Sequence, residues 1–306
     1  MLMNRDPVES YMLFFDNCAA MRRAFRFSDR FPYSLAASRL ASRGRGVTED
    51  ELEAMHSEMK ENFRFFSPLR DIEPAVIALM LEKGSSEAVL IPLKAAYEAM
   101  REHFAASEYV ALASLMLSAS VAPEEFVGKA ARVRAIYDAL RARHRWATSH
   151  SEVLVCAFLA IRGADPEAAA EDAQNCYEEM RRSQRFRCSW SLAAKITLDP
   201  REPAAKCADV ANIRARLKKE RRALTLYYAL ASLVAQPDSA VWNADEALAL
   251  FDTLRKEKGF GSLSMDSEER LLLSYMLVAP SDELFFLALS GYYEKRAAIA
   301  AAAAAT

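Results

Sequence analysis

Glycine and proline are scarce in this chain of 306 residues, at 8 and 11. So thin a supply of turn formers suits long helices, and no segment keeps the two-residue alternation of a strand. Cysteine is present as an odd set of five (Cys18, Cys156, Cys176, Cys188 and Cys207) without a CxxC pair. That pattern, with several of the cysteines inside apolar helical runs, predicts reduced thiols in a cytoplasmic protein. The four histidines, His56, His103, His144 and His150, form no HxxxH and stand at no metal spacing with cysteine, so no metal site is expected. His150 near Cys156 reads as a loop histidine and a core thiol. Glycine-rich phosphate loops, dinucleotide fingerprints and the nucleophile elbow are all missing, so no catalytic residue and no cofactor is assigned. A formal net charge of -2 lacks the positive excess of a duplex-DNA binder. The longest uncharged stretches, Tyr109 to Pro123 and Ala223 to Pro237, are too short to span a bilayer, and Met1 to Ser10 lacks the apolar core of a signal peptide.

What the chain does have is a repeat. Large apolar anchors at Phe15, Met55, Tyr97, Tyr137, Tyr177, Ile213 and Phe251 follow one another about 40 residues apart. Each anchor sits in an amphipathic segment that ends in basic residues. Each such segment leads into a nearly charge-free run of Ala, Leu and Ser. Glu87 to Phe104 shows the first half, with Leu90, Leu93, Tyr97 and Met100 on one helical stripe. The run after Ser107 shows the second, apolar on all faces and therefore expected to be buried. The pattern predicts an all-α protein of about seven helical hairpins plus a last helix from Asp282, arranged as an α/α solenoid or alternatively a closed α/α toroid. Residues 1–296 are expected to form a single repeat domain and 297–306 a low-complexity Ala tail.

Helix starts are marked locally. Thr48 with Glu51, Ser149 with Glu152, and Asn243 with Glu246 have capping-box spacing. Ser107 can cap the following helix, and Asp165-Pro166-Glu167 places a cap, a first-turn proline and a dipole-favoured acid in order. The period is close to the HEAT and armadillo length, although the HEAT pattern of Pro, Asp and Arg is absent. The Tyr97 to Leu117 unit and the closing Lys258-Gly259-Phe260-Gly261 segment resemble a bacterial all-helical family of about this length, known only as a domain of unknown function. That resemblance implies the fold and brings no activity with it. The same Lys258 to Gly261 segment also resembles, faintly, the prenyltransferase and terpene-cyclase toroids. It occurs once instead of in each repeat, and no aspartate-rich motif accompanies it.

Two features bear on function. Aligned inner segments give a ladder of Ser38, Ala78, Ser114, Phe158, Lys195, Ser232 and Ser274, in which Lys195 is the charged rung. A lysine there either snorkels at a helix edge or serves as an anion-binding or reactive group facing a cavity. The second feature is basic: Arg141, Arg143 and Arg145; then Arg181, Arg182, Arg185 and Arg187; then Arg214, Arg216, Lys218, Lys219, Arg221 and Arg222. Cations suit helix C-termini, which accounts for part of this bias. Stacked repeats would also align the clusters as a positive rim beside Trp146, Phe186 and Trp190. The expected function is a non-enzymatic interaction or ligand-binding module for a protein or acidic small-molecule partner. Its binding residues would be Arg143, Arg182, Arg185, Lys195, Lys218 and Arg222. The alternative is an enzyme on a toroid with a central cavity.

Overall fold

The computed structural model describes residues 7–25, 29–183, 189–219, 244–261 and 264–304. Among the described residues the protein is all-α, without a strand. The helices are α1 (Pro7–Ala24), α2 (Arg30–Ser42), α3 (Glu49–Asn62), α4 (Pro68–Asp71), α5 (Glu73–Lys83), α6 (Glu87–Arg101) and α7 (Glu108–Ser120). After a short 3-10 turn at Pro123–Glu125 come α8 (Phe126–Arg143), α9 (Glu152–Ile161), α10 (Pro166–Ser183), α11 (Trp190–Ile196) and α12 (Pro203–Lys219). The last three are α13 (Ala244–Lys256), α14 (Ser267–Val278) and α15 (Asp282–Ala304). The chain divides into two compact units, one of Met1–Ile91 with Trp242–Phe285, the other of Pro92–Val241 with Phe286–Thr306.

In the first unit α2 packs against α1, α5 and α14, and its residues Phe31 to Ala41 are all buried. A helix buried on every side needs small residues where backbones approach, and the rungs Ser38, Ala78 and Ser274 are each fully buried. The charge carried into this interior is neutralised at once. Arg39 pairs with Glu82 at 2.5 Å and Asp282 at 2.6 Å, with its guanidinium 4.8 Å from the Phe285 ring centre. Thr48 and Glu51 make the predicted capping box at the start of α3. The Lys258 to Gly261 segment closes α13. Gly259 takes φ +92, a backbone conformation that favours glycine over residues with a Cβ. Phe260 is thereby buried against Phe14 and Phe15, and its carbonyl accepts from Arg270 Nε at 2.7 Å.

In the second unit two kinds of helix alternate. On α7, Tyr109 to Leu117 are all buried, and on α9 so are Val153 to Ala160, as their lack of charge predicts. The longer α8 buries one stripe, including Phe126, Ala130, Val133, Tyr137 and Leu140, and leaves the rest to solvent. Helix α8 packs on α9 and α10, while α10 packs on α11 and α12. Ser107 caps α7 and Asp165 caps α10, as predicted. The Ser149–Glu152 box is not formed. The helix starts at Glu152 itself, with Ser151 preceding it. The Glu152 carboxylate instead accepts from the Ser149 backbone N–H and hydroxyl, at 2.7 Å and 2.9 Å. The uncharged stretch Ala223 to Pro237 and the Asn243 cap lie outside the described residues.

Candidate functional site

The basic features of the second unit gather where α8 ends. His144 follows the last residue of α8, and its ring lies 4.8 Å from Tyr177 of α10 and 4.3 Å from Trp190 of α11. His144 Nε2 is also 3.0 Å from Gln174 Oε1. The buried Trp190 indole donates to Thr148 Oγ1 at 2.9 Å, and Thr148 Oγ1 donates in turn to the His144 carbonyl at 3.0 Å. This aromatic knot fixes the end of α8 beside the C-terminal half of α10. Arg141, Arg143 and Arg145 are exposed around it. Trp146 is 95% exposed with the Arg145 guanidinium 5.6 Å from its ring centre, and Arg181 sits 5.8 Å from the ring of Tyr177. The result is an exposed set of cations and one open indole face, beside a half-buried His144–Tyr177 pair packed on the buried Trp190.

The six residues assigned from sequence fall differently. Arg143 is exposed and lies 3.6 Å from Glu167. Arg182, in the last turn of α10 beside Arg181, is exposed and bridges to Glu178 and Glu179 of its own helix. Both cations serve the C-terminal dipole of their helices and remain open to water. Arg185 and Arg222 lie outside the described residues, as does the side chain of Lys218 on α12. Phe186 also lies outside them. Trp190 does not face the rim, because it is buried under it.

Lys195 lies elsewhere, in a buried polar cluster of α9, α11 and α15. Its side chain is 3% exposed and donates to Glu294 Oε1 at 2.5 Å. A snorkelling lysine would expose its ammonium, so this side chain is not one. Nearby Glu152 is fully buried, and its second carboxylate oxygen accepts from Ser151 Oγ at 3.2 Å. Burial pushes the Glu152 carboxyl above its ordinary range; the Lys195 charge opposes that push and the Glu294 charge adds to it. Burial likewise raises the Tyr109 hydroxyl, with Glu294, Glu108 and Glu152 adding to the effect. Chemically, the arrangement is a compensated Lys–Glu pair beside an acid that tends to keep its proton.

Sequence reasoning missed a second buried lysine. Lys206 on α12 is 1% exposed and donates to Asp172 Oδ2 at 2.5 Å and to the Asp199 carbonyl at 3.1 Å. Its only signal was a charge on the apolar face of an amphipathic helix. Arg201 holds Asp199 Oδ2 at 2.6 Å and Asp209 at 2.7 Å; burial raises the Asp199 carboxyl, but the Arg201 hydrogen bonds and the Arg201 and Lys206 charges outweigh it and bring it below its ordinary range. Among the described residues, no group of three or more His, Cys, Asp and Glu side chains is placed to hold a metal ion. No helix among them is long and apolar enough to cross a membrane.

A family model described as "Protein of unknown function (DUF4003)" matches residues 17–289. The chain belongs to the DUF4003 family. The match runs from α1 into α15, so both units of this DUF4003 chain contribute to it. No curated protein matches the chain. No solved structure matches it either.

Proposed function

We propose that this DUF4003 chain is a non-enzymatic helical-repeat interaction module of the α/α solenoid type, which binds an acidic protein segment or another anionic ligand. The observation that carries this reading is the exposed assembly at the ends of α8 and α10. Arg141, Arg143 and Arg145 at the end of α8 and Arg181 and Arg182 at the end of α10 are exposed there, with the Arg145 guanidinium 5.6 Å from the ring centre of the exposed Trp146, on a chain whose total charge is -2. Local positive potential on a slightly acidic protein favours anionic partners by long-range attraction, and an exposed indole adds a flat apolar contact. A cytoplasmic setting is part of it, supported by four buried cysteines that are free thiols.

The test is binding of a fluorescently labelled poly-glutamate peptide, read by anisotropy at low salt. The parent protein is expected to bind, and Arg143→Glu, Arg181→Glu and Arg182→Glu combined are expected to abolish binding without unfolding the protein. Equal binding by both proteins would remove the rim from the account. A second reading, an enzyme on a closed α/α toroid, is favoured by the convergence of Lys195, Glu294 and Glu152 in a buried position. On that reading Lys195 faces the ligand, and Lys195→Met would remove activity from a protein that still folds.

A further inference from the structure

Helices α10 and α12 bring two cysteines together. Cys176 and Cys207 are 0% and 6% exposed, and Cys207 Sγ donates to the Cys176 carbonyl at 3.6 Å. The two thiols are also hydrogen-bonded to each other, so the sulfurs are neighbours across the α10–α12 contact. The surroundings are polar, unlike those of an ordinary core thiol. Cys176 Sγ points to Asp172 Oδ1 at 3.9 Å, and Asp172 holds the ammonium of Lys206, the residue before Cys207.

We propose that Cys207 and Cys176 form a hydroperoxide-reactive dithiol site, with Cys207 as the attacking sulfur and Cys176 as the resolving one. The Cys207 thiolate attacks one peroxide oxygen. An S–O bond forms, the O–O bond breaks, the sulfur is oxidised to a sulfenic acid, and the departing hydroxide takes a proton. Cys176 then attacks the sulfenic sulfur. The S–S bond forms, the S–O bond breaks, and the departing hydroxide leaves as water with the Cys176 proton. Two thiols and one hydroperoxide thus give one disulfide and, for hydrogen peroxide, two waters.

The order of attack follows from the surroundings. The hydrogen bond between the thiols lowers Cys207 below the ordinary thiol range, against burial and the Glu179 and Asp172 charges, which raise it; the same hydrogen bond, with burial, raises Cys176. The Lys206 charge lowers Cys207 further. Elsewhere in the fold, burial raises Cys18 and Cys156, which makes them poor nucleophiles.

The test uses the reduced full-length protein and hydrogen peroxide, followed by alkylation and peptide mapping. The expected product is a Cys176–Cys207 cross-linked peptide in a protein lighter by two hydrogen atoms, fully reversed by dithiothreitol. In Cys176→Ser the reaction should stop at a sulfenic acid on Cys207, trapped by dimedone. Three results would overturn the proposal: both thiols remaining alkylatable after peroxide treatment, a bond from either cysteine to Cys188 as the main product, or dimedone labelling on Cys176 in Cys207→Ser as fast as on Cys207 in Cys176→Ser. The mapping of the parent protein decides even where a serine variant fails to fold.

Discussion

Lys195 and Arg182 carry the same charge in the same unit, and each pairs with glutamate, yet the physics of the two pairs is opposite. Lys195 is 3% exposed and meets a glutamate 99 residues away in sequence, on another helix. Arg182 is 70% exposed and meets glutamates three and four residues away on its own helix. Removing a partner from the first pair strands a charge away from water, whereas water and salt replace the partner in the second. The interior pair is therefore bound up with the fold, and the rim cation is available to a ligand at little cost. The same contrast separates Tyr137, buried with its ring edge-on to Phe104 at 5.5 Å, from the half-buried Tyr97 and Tyr177.

The comparison can be broken from either side. Tyr137→Ala should have the largest effect, about 4 kcal/mol lost from stability in a denaturant melt, because a buried aromatic leaves a cavity. The same change at Tyr97 or Tyr177 should cost clearly less, and equal losses at all three would mean that their burial does not differ in solution. Lys195→Met should cost about 3 kcal/mol, since Glu294 then loses its buried counter-charge. A thermal midpoint unchanged in that variant would contradict a structural ion pair.

Glu152 gives the comparison a pH axis. Its folded-state proton affinity is raised from the ordinary value of 4.5, so above that pH the folded protein holds a proton that the unfolded chain has released. Its contribution to stability is full below pH 4.5 and is lost as pH rises through the folded value. Glu152→Gln should therefore flatten a decline in stability with rising pH. Identical pH profiles of parent and variant would show that the carboxyl is not perturbed. Arg182→Ala should have the smallest effect, under about 0.5 kcal/mol, as an exposed pair within one helix.

What was legible in the sequence was local. The charge-free runs of α7 and α9 announced buried helices, and Thr48, Ser107 and Asp165 announced the starts of α3, α7 and α10. The small rungs Ser38, Ala78, Ser114 and Ser274 are fully buried, as the nearly charge-free runs that carry them predict. Long-range partners were not legible. Nothing near Lys195 indicated Glu294, and nothing near Cys207 indicated Cys176, because each pairing is created by helix packing. Ser149 and Glu152 show how spacing misleads: a capping-box interval supplied hydrogen bonds to a buried acid instead of starting a helix. Trp190 shows the same for composition, since an aromatic beside arginines became the support of the rim instead of its surface.

The central claim is that the exposed cations at the ends of α8 and α10 bind an anion. The most direct measurement is the affinity of the unmodified protein for poly-glutamate as a function of salt. If several arginines engage the ligand, its affinity should fall at least about tenfold between roughly 50 and 200 mM salt, linearly on a double-logarithmic plot. Binding that is flat across this range, or absent at its lower end, would contradict the account.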